Sequence, residues 1–182
     1  MVYRHSLVTR ITHVTFSVCF LILALSGAQI FLHAHWIHVK TGVLHEFCGL
    51  GMILSGAVYL ASGIRSGELG KLIFLPADTA NVVPMAAYYM RLRGSAPAYS
   101  DYNPLQKLAY TIVLLLIGPA IAATGLAMWL RLGGRGLGIL HLGLAVELVL
   151  FFFGHMLMVA TTGVYNNLRS MVTGWYRPSV TA

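Results

Sequence analysis

The sequence predicts an all-α fold: an integral membrane four-helix bundle with both termini cytoplasmic. Three observations carry this. Of 182 residues, 58% are hydrophobic and only 9% are charged, against roughly 25% charged in a soluble domain. Four apolar runs are each long enough to cross a bilayer, which takes about 20 residues of helix. The runs are continuous rather than alternating, and backbone groups in lipid must pair within their own segment, so they read as helices and not as strands. So few charges cannot cover a water-facing surface, which argues against a soluble enzyme and against a disordered chain. The net charge of +7 does not point to nucleic acid, because the basic residues lie between the apolar runs.

One transmembrane domain is expected to fill residues 1–182. The first span covers about 11–32 and holds no charged residue. Basic residues before it and small residues near Ser26 and Ala28 imitate a signal peptide. Its apolar stretch is longer than a signal-peptide core and contains His13, so it is expected to stay. The second span, about 43–64, contains only Glu46. Residues 65–107 form the one long connection. Its middle, 72–89, is apolar but broken by Pro76 and Pro84, and reads as lying at the inner interface without spanning. The third span, about 108–130, is uncharged, and Pro119 should kink or loosen it by removing one backbone bond. The fourth, about 137–164, contains Glu147 alone. Residues 168–178 carry Arg169, Trp175, Tyr176 and Arg177 and read as an interfacial anchor.

Loop charges set the orientation. With the N-terminus inside, nine of the 12 Lys and Arg residues face the cytoplasm, and only Lys40, Arg131 and Arg135 face out. That asymmetry favours both termini inside.

Four histidines lie in the spans, where ionisable residues are costly. His13 falls near the inner end of the first span and His45 near the outer end of the second. His141 falls near the outer end of the fourth. His155 is 14 residues further on, about 21 Å deeper at 1.5 Å per residue and on nearly the same helix face. The depths therefore sort into His13 with His155 and His45 with His141. A lone span histidine commonly just hydrogen-bonds another helix. Four, paired by depth, point to two stacked cofactors, each held by two imidazoles. Bis-histidine haem b fits this best, whereas a catalytic zinc site would need a third ligand.

Glycines agree with bulky groups between helices. Gly42, Gly49, Gly56 and Gly63 recur every seven residues on the face of His45, with Gly56 at the inner cofactor's level. Gly27 lies level with the outer one, and Gly118 and Gly125 are also seven apart. Small residues of this kind let a macrocycle or a helix come close. Cys19 and Cys48 read as packing residues, and neither belongs to a Cys-x-x-Cys-His haem-attachment motif. Glu147 points away from the histidine face; it could carry protons or meet a partner helix, and the preferred reading is a protonated acid bonded to a neighbouring helix. His33, His35 and His38 cluster in the first outer loop; such a cluster can bind metal but more often marks an interfacial loop.

Arg-Ile-Thr-His at 10–13, Leu-His-Glu-Phe-Cys-Gly at 44–49, Tyr-Asn-Pro-Leu-Gln-Lys at 102–107 and the His141/His155 pair together carry a resemblance. Over nearly its whole length the chain resembles the di-haem membrane cytochrome b subunits of formate dehydrogenase gamma, thiosulfate-reductase and nickel–iron hydrogenase type. These sit within the bacterial cytochrome b561-like superfamily. The resemblance implies two haem b groups between the helices: an inner one with iron ligands His13 and His155, and an outer one with His45 and His141. It implies quinone binding near the inner haem, with Asn103 as a contact and Gln106 and Lys107 beside it. Asn103 also suits a helix start before Pro104. The implied setting is the bacterial inner membrane. There the chain would be the anchor of a respiratory oxidoreductase complex, joining a periplasmic iron–sulfur subunit and its catalytic subunit to the quinone pool. Stand-alone superfamily members, one of which oxidises superoxide and reduces quinone, are an alternative. They carry a further histidine at the start of helix three, where this chain has Leu108, Ala109 and Tyr110. A haem-free scaffold or transporter is the third reading.

Overall fold

The computed structural model describes residues 1–99 and 101–177. Four long apolar helices dominate it: α1 (Leu7–Leu32), α2 (Thr41–Ser66), the composite helix Pro104–Trp129, and α7 (Arg135–Thr161). Each is 26 or 27 residues long, about 40 Å of helix and enough to cross a bilayer. Their outward side chains stay uncovered by the chain itself, with Phe47 76%, Leu54 68% and Phe153 65% exposed. Apolar surface of that extent suits lipid and not water.

Local chemistry explains where the helices begin. Ser6 caps α1, its hydroxyl accepting the Thr9 N–H at 3.2 Å. Asn103 caps the third long helix, with Oδ1 accepting the Gln106 N–H at 2.9 Å and Gln106 Oε1 accepting the Asn103 N–H at 3.1 Å. Pro104 occupies the first helical position, where a missing N–H costs nothing. Hydropathy alone starts the first and third spans four residues late, because these capped first turns end on Arg10 and Lys107. The fourth ends earlier than expected, at Thr161, before Gly163 turns the chain with φ +105° into α8 (Val164–Thr173).

The third long helix is not uniform. An α5 segment (Pro104–Ile112) passes through a π-turn over Val113–Ile117 into α6 (Gly118–Trp129). The Gly118 N–H reaches back to the Val113 carbonyl. The expected loosening at Pro119 therefore takes the form of one wide turn just ahead of it, as is common where a helix loses a bond.

The long connection folds into short helices, α3 (Glu68–Leu72), a 3-10 turn (Pro76–Asn81) and α4 (Val82–Tyr89), each too short to span. It is pinned beneath the third helix. Lys107 Nζ lies 3.0 and 3.2 Å from the Asp78 carboxylate oxygens, and the Phe74 N–H donates to Thr111 Oγ1 at 2.7 Å. A two-stranded antiparallel pair joins the chain ends, β1 (Val2–Tyr3) with β2 (Trp175–Tyr176). Both described ends therefore meet at one end of the bundle, here called the inner end. Tyr3 meets Trp175 edge-on at 5.3 Å, and the Arg4 guanidinium lies over Tyr176 at 4.7 Å. Pro178, the last residue of the expected anchor, lies outside the described residues.

Candidate functional site

Helix α7 carries the site. At its inner end His155 faces His13 of α1, with ring centroids 6.1 Å apart and ring planes at 51°. At its outer end His141 faces His45 of α2, at 6.4 Å and 70°. The pairs expected from depth alone are the pairs brought together in space. Each joins the α1–α2 hairpin to α7.

The separations suit one metal between two rings. A metal–imidazole bond is about 2.0 Å and a ring nitrogen lies about 1.1 Å from its centroid, so two imidazoles on opposite sides of one iron stand about 6.2 Å centroid to centroid. Among the described residues no group of three His, Cys, Asp or Glu side chains gathers. The donor set is thus two nitrogens per site, which fits bis-histidine haem and not a zinc site.

The outer imidazoles are held by their neighbours. Ser26 Oγ lies 2.9 Å from His45 Nδ1, and Thr124 Oγ1 lies 2.9 Å from His141 Nδ1. Each hydroxyl proton is already committed to its own helix, Ser26 to the Ile22 carbonyl at 2.6 Å and Thr124 to the Ala120 carbonyl at 2.9 Å. The hydroxyl oxygen must then accept, so each Nδ1 carries the hydrogen. That leaves Nε2 with its lone pair, the form that can bind a metal. The residue after each hydroxyl is glycine. A Cβ on Gly27 would stand 3.2 Å from His45 Cε1, and one on Gly125 would stand 3.1 Å from His141 Cε1.

At the inner pair His155 stacks on Phe151 at 6.0 Å and 19°, and meets the Tyr110 ring at 6.5 Å. Tyr110 therefore occupies space against the inner pair. Tyr102 continues this aromatic series at 5.8 Å from Tyr110. It ends at a polar cavity of about 130 Å³ lined by Arg4, Glu68, Lys71 and Asp101 among others. His5 sits buried nearby. Burial, followed by the Arg4 guanidinium, holds it down at about 4 against the opposing Glu68, so it is neutral at ordinary pH.

A family model described as prokaryotic cytochrome b561 matches residues 4–174. The chain belongs to that family. It is accordingly a multi-pass membrane b-type cytochrome of electron transfer, and membership implies haem b binding. No curated protein matched the chain.

The structure gives the other residues of this cytochrome b561 that the sequence singled out their particular surroundings. Gly56 does not open space at the inner cofactor's level, because Phe16 of α1 fills it, with Cζ 3.4 Å from where a Cβ would be. Gly63 packs against Leu69 of α3, while Gly42 and Gly49 do face open space. Asn103 is only 1% exposed. Beyond its cap it donates from Nδ2 to the Tyr89 hydroxyl at 3.1 Å, and so ties α4 to α5. Lys107 is neutralised by Asp78. The neighbour expected for Glu147 is not supplied: no hydrogen bond or ion pair to it is found among the described residues, and it is exposed at the middle of α7. His33 ends α1 in the left-handed conformation at φ 52°, and exposed His33, His35 and His38 do not converge on a metal site. Sequence reasoning missed Ser26, Thr124 and Gln29. Gln29 stitches the outer loop to α2, through the Ile37 backbone and Thr41 Oγ1 at 2.6 Å. For the two hydroxyls a signal existed: Ser-Gly at 26–27 and Thr-Gly at 124–125 each precede an outer histidine by one hairpin.

Proposed function

We propose that this cytochrome is the membrane-anchor subunit of a respiratory oxidoreductase complex. It takes electrons from a periplasmic iron–sulfur subunit at its outer end and delivers them to membrane quinone at its inner, cytoplasmic end. The carrying observation is the two histidine pairs, at 6.1 and 6.4 Å, stacked along α7. His13 and His155 would hold an inner haem b, and His45 and His141 an outer one. When bound, such groups would supply one-electron exchange. The protein's own work is to hold four neutral imidazoles at two depths and to keep water from the span between them.

Quinone reduction needs protons as well as electrons. The polar cavity among Arg4, Glu68, Lys71 and Asp101 gives water a place to approach the inner end. The quinone headgroup is assigned to the entry of the third helix. Gln106 would contact it there through the amide nitrogen, for which no partner is found among the described residues. Asn103 and Lys107 would shape the wall by anchoring α4 and the 3-10 turn. Among the described residues no site for formate, hydrogen or sulfur chemistry is found, and the partner's substrate is assigned to the catalytic subunit.

The test is the haem-to-protein ratio of the purified chain by pyridine haemochrome, repeated on His45→Ala and His141→Ala. Two haems b are expected, with either substitution removing one and sparing the other. Haem-free protein made with ample haem would refute the reading. Co-purification of an iron–sulfur subunit from the native membrane tests the assembly, and turnover with quinone by the chain alone on superoxide would replace it by the stand-alone activity.

A further inference from the structure

The two outer histidines sit in matching clamps, and the two inner ones do not. In the first clamp Ser26 of α1 accepts from His45 Nδ1 of α2 at 2.9 Å, and Gly27 lets the ring lie against the α1 backbone. In the second Thr124 Oγ1 of α6 lies 2.9 Å from His141 Nδ1 of α7, the Ile121 carbonyl also bonds that imidazole, and Gly125 gives that ring the same room. Each hydroxyl is held in position by its own bond to the preceding helical turn. Ser26 is fully buried and Thr124 nearly so. Among the described residues no hydrogen-bond partner is found for the ring nitrogens of His13 or His155; His155 instead lies against the Tyr110 and Phe151 rings.

We propose that Ser26–Gly27 and Thr124–Gly125 are positioning clamps that fix the outer imidazoles with Nε2 toward the iron and set the outer haem at a lower potential than the inner one. The inference rests on the two-haem reading above. The physical cause is donation. An Nδ1–H that gives its hydrogen bond to a fixed acceptor makes the ring a more basic ligand, and a more basic ligand favours the ferric over the ferrous iron. Both ligands of the outer site are strengthened in this way and neither ligand of the inner site is. The step from outer to inner haem is then the downhill one. Ser26 and Thr124 touch neither electron donor nor quinone in this scheme; they act through the histidines.

The experiment is a spectroscopic redox titration of the purified haem-loaded protein. The titration component lost in His141→Ala identifies the outer haem. In the unsubstituted protein that component is expected to be the lower of two. Ser26→Ala and Thr124→Val should each raise it, the double substitution should raise it further, and the other component should stay in place. Ser26→Thr and Thr124→Ser, which keep the hydroxyl, should restore the original value. The low-spin ferric resonance of the outer haem should move with the same substitutions, a readout that mere loss of stability would not produce. Two bound haems with no shift in either component, or equal shifts in both, would overturn the clamps. So would an outer haem that titrates above the inner. Protein that carries no haem overturns the two-haem reading itself and is distinguished by the haem ratio.

Discussion

Gly125→Ala is the smallest change that reaches the outer site. The added Cβ would stand 3.1 Å from His141 Cε1, whereas two carbons rest at about 3.5–4.0 Å. The ring must therefore retreat by about 0.4–0.9 Å along the line from α6 to α7. Metal–ligand distances hold to within about 0.2 Å, so the retreat exceeds what an iron–nitrogen bond absorbs, and it also lengthens the 2.9 Å bond to Thr124. Loss of a group that orients a metal ligand typically costs about 10–100-fold in metal affinity, or about 1.4–2.7 kcal/mol. Alanine meanwhile improves helix propensity by up to about 1 kcal/mol, so the helix itself is not weakened. The assay is haem titration of the apoprotein with b-type haem, read by the Soret band, with circular dichroism to follow helix content. One haem should bind as before and one 10–100-fold more weakly, at full helix content. Gly143→Ala on α7 is the control, because nothing lies within 4 Å of its added carbon. Undiminished binding of both haems by Gly125→Ala, or an equal loss in Gly143→Ala, would refute the reasoning.

Three further outcomes are expected. Gly118→Ala places a carbon 2.8 Å from the Val113 carbonyl oxygen inside the π-turn; backbone must move, at about 1–3 kcal/mol, and thermal inactivation in detergent should shift down while Gly134→Ala leaves it in place. Lys107→Met strands the Asp78 carboxylate, whose pKa is held below its ordinary value first by the Leu75 N–H and then by Lys107. It should cost about 1–2 kcal/mol, and acid should remove the stability that the pair contributes, since that contribution is present above pH about 3.8 and is lost as pH falls through the depressed value; an unchanged acid profile would count against the pair. His5 is held down at about 4 from 6.5, first by burial and then by Arg4. The unfolded chain binds the proton more readily, so stability at the β1–β2 junction should fall as pH drops from 6.5 toward 4, by about 1–2 kcal/mol after allowance for solvent. Hydrogen exchange at the Arg4 amide, which bonds the Gly174 carbonyl at 2.8 Å, should quicken over that window and His5→Gln should flatten the response.

Hydropathy and helical rise are properties of the chain in one dimension, and what depends on them was legible in the sequence. The four spans follow from runs of apolar residues. The depths of His13, His45, His141 and His155 follow from 1.5 Å per residue and the order of the turns. The 14-residue interval even placed both α7 histidines on one face. What depends on rotation about each helix axis and on the partner across the gap was decided by tertiary structure alone. Gly56 and Gly27 both look like clearance for a cofactor, yet one is filled by Phe16 and the other receives the His45 ring. The cap role of Asn103 was legible before Pro104, but that Asn103 bonds Tyr89 and Lys107 bonds Asp78 was not, since these partners belong to a loop whose path no periodicity describes. Ser26 and Thr124 are ordinary small polar residues in an apolar helix until a neighbouring helix turns an imidazole toward them. A buried hydroxyl acquires its role from the group within 3 Å of it, and that distance exists only once the helices are packed.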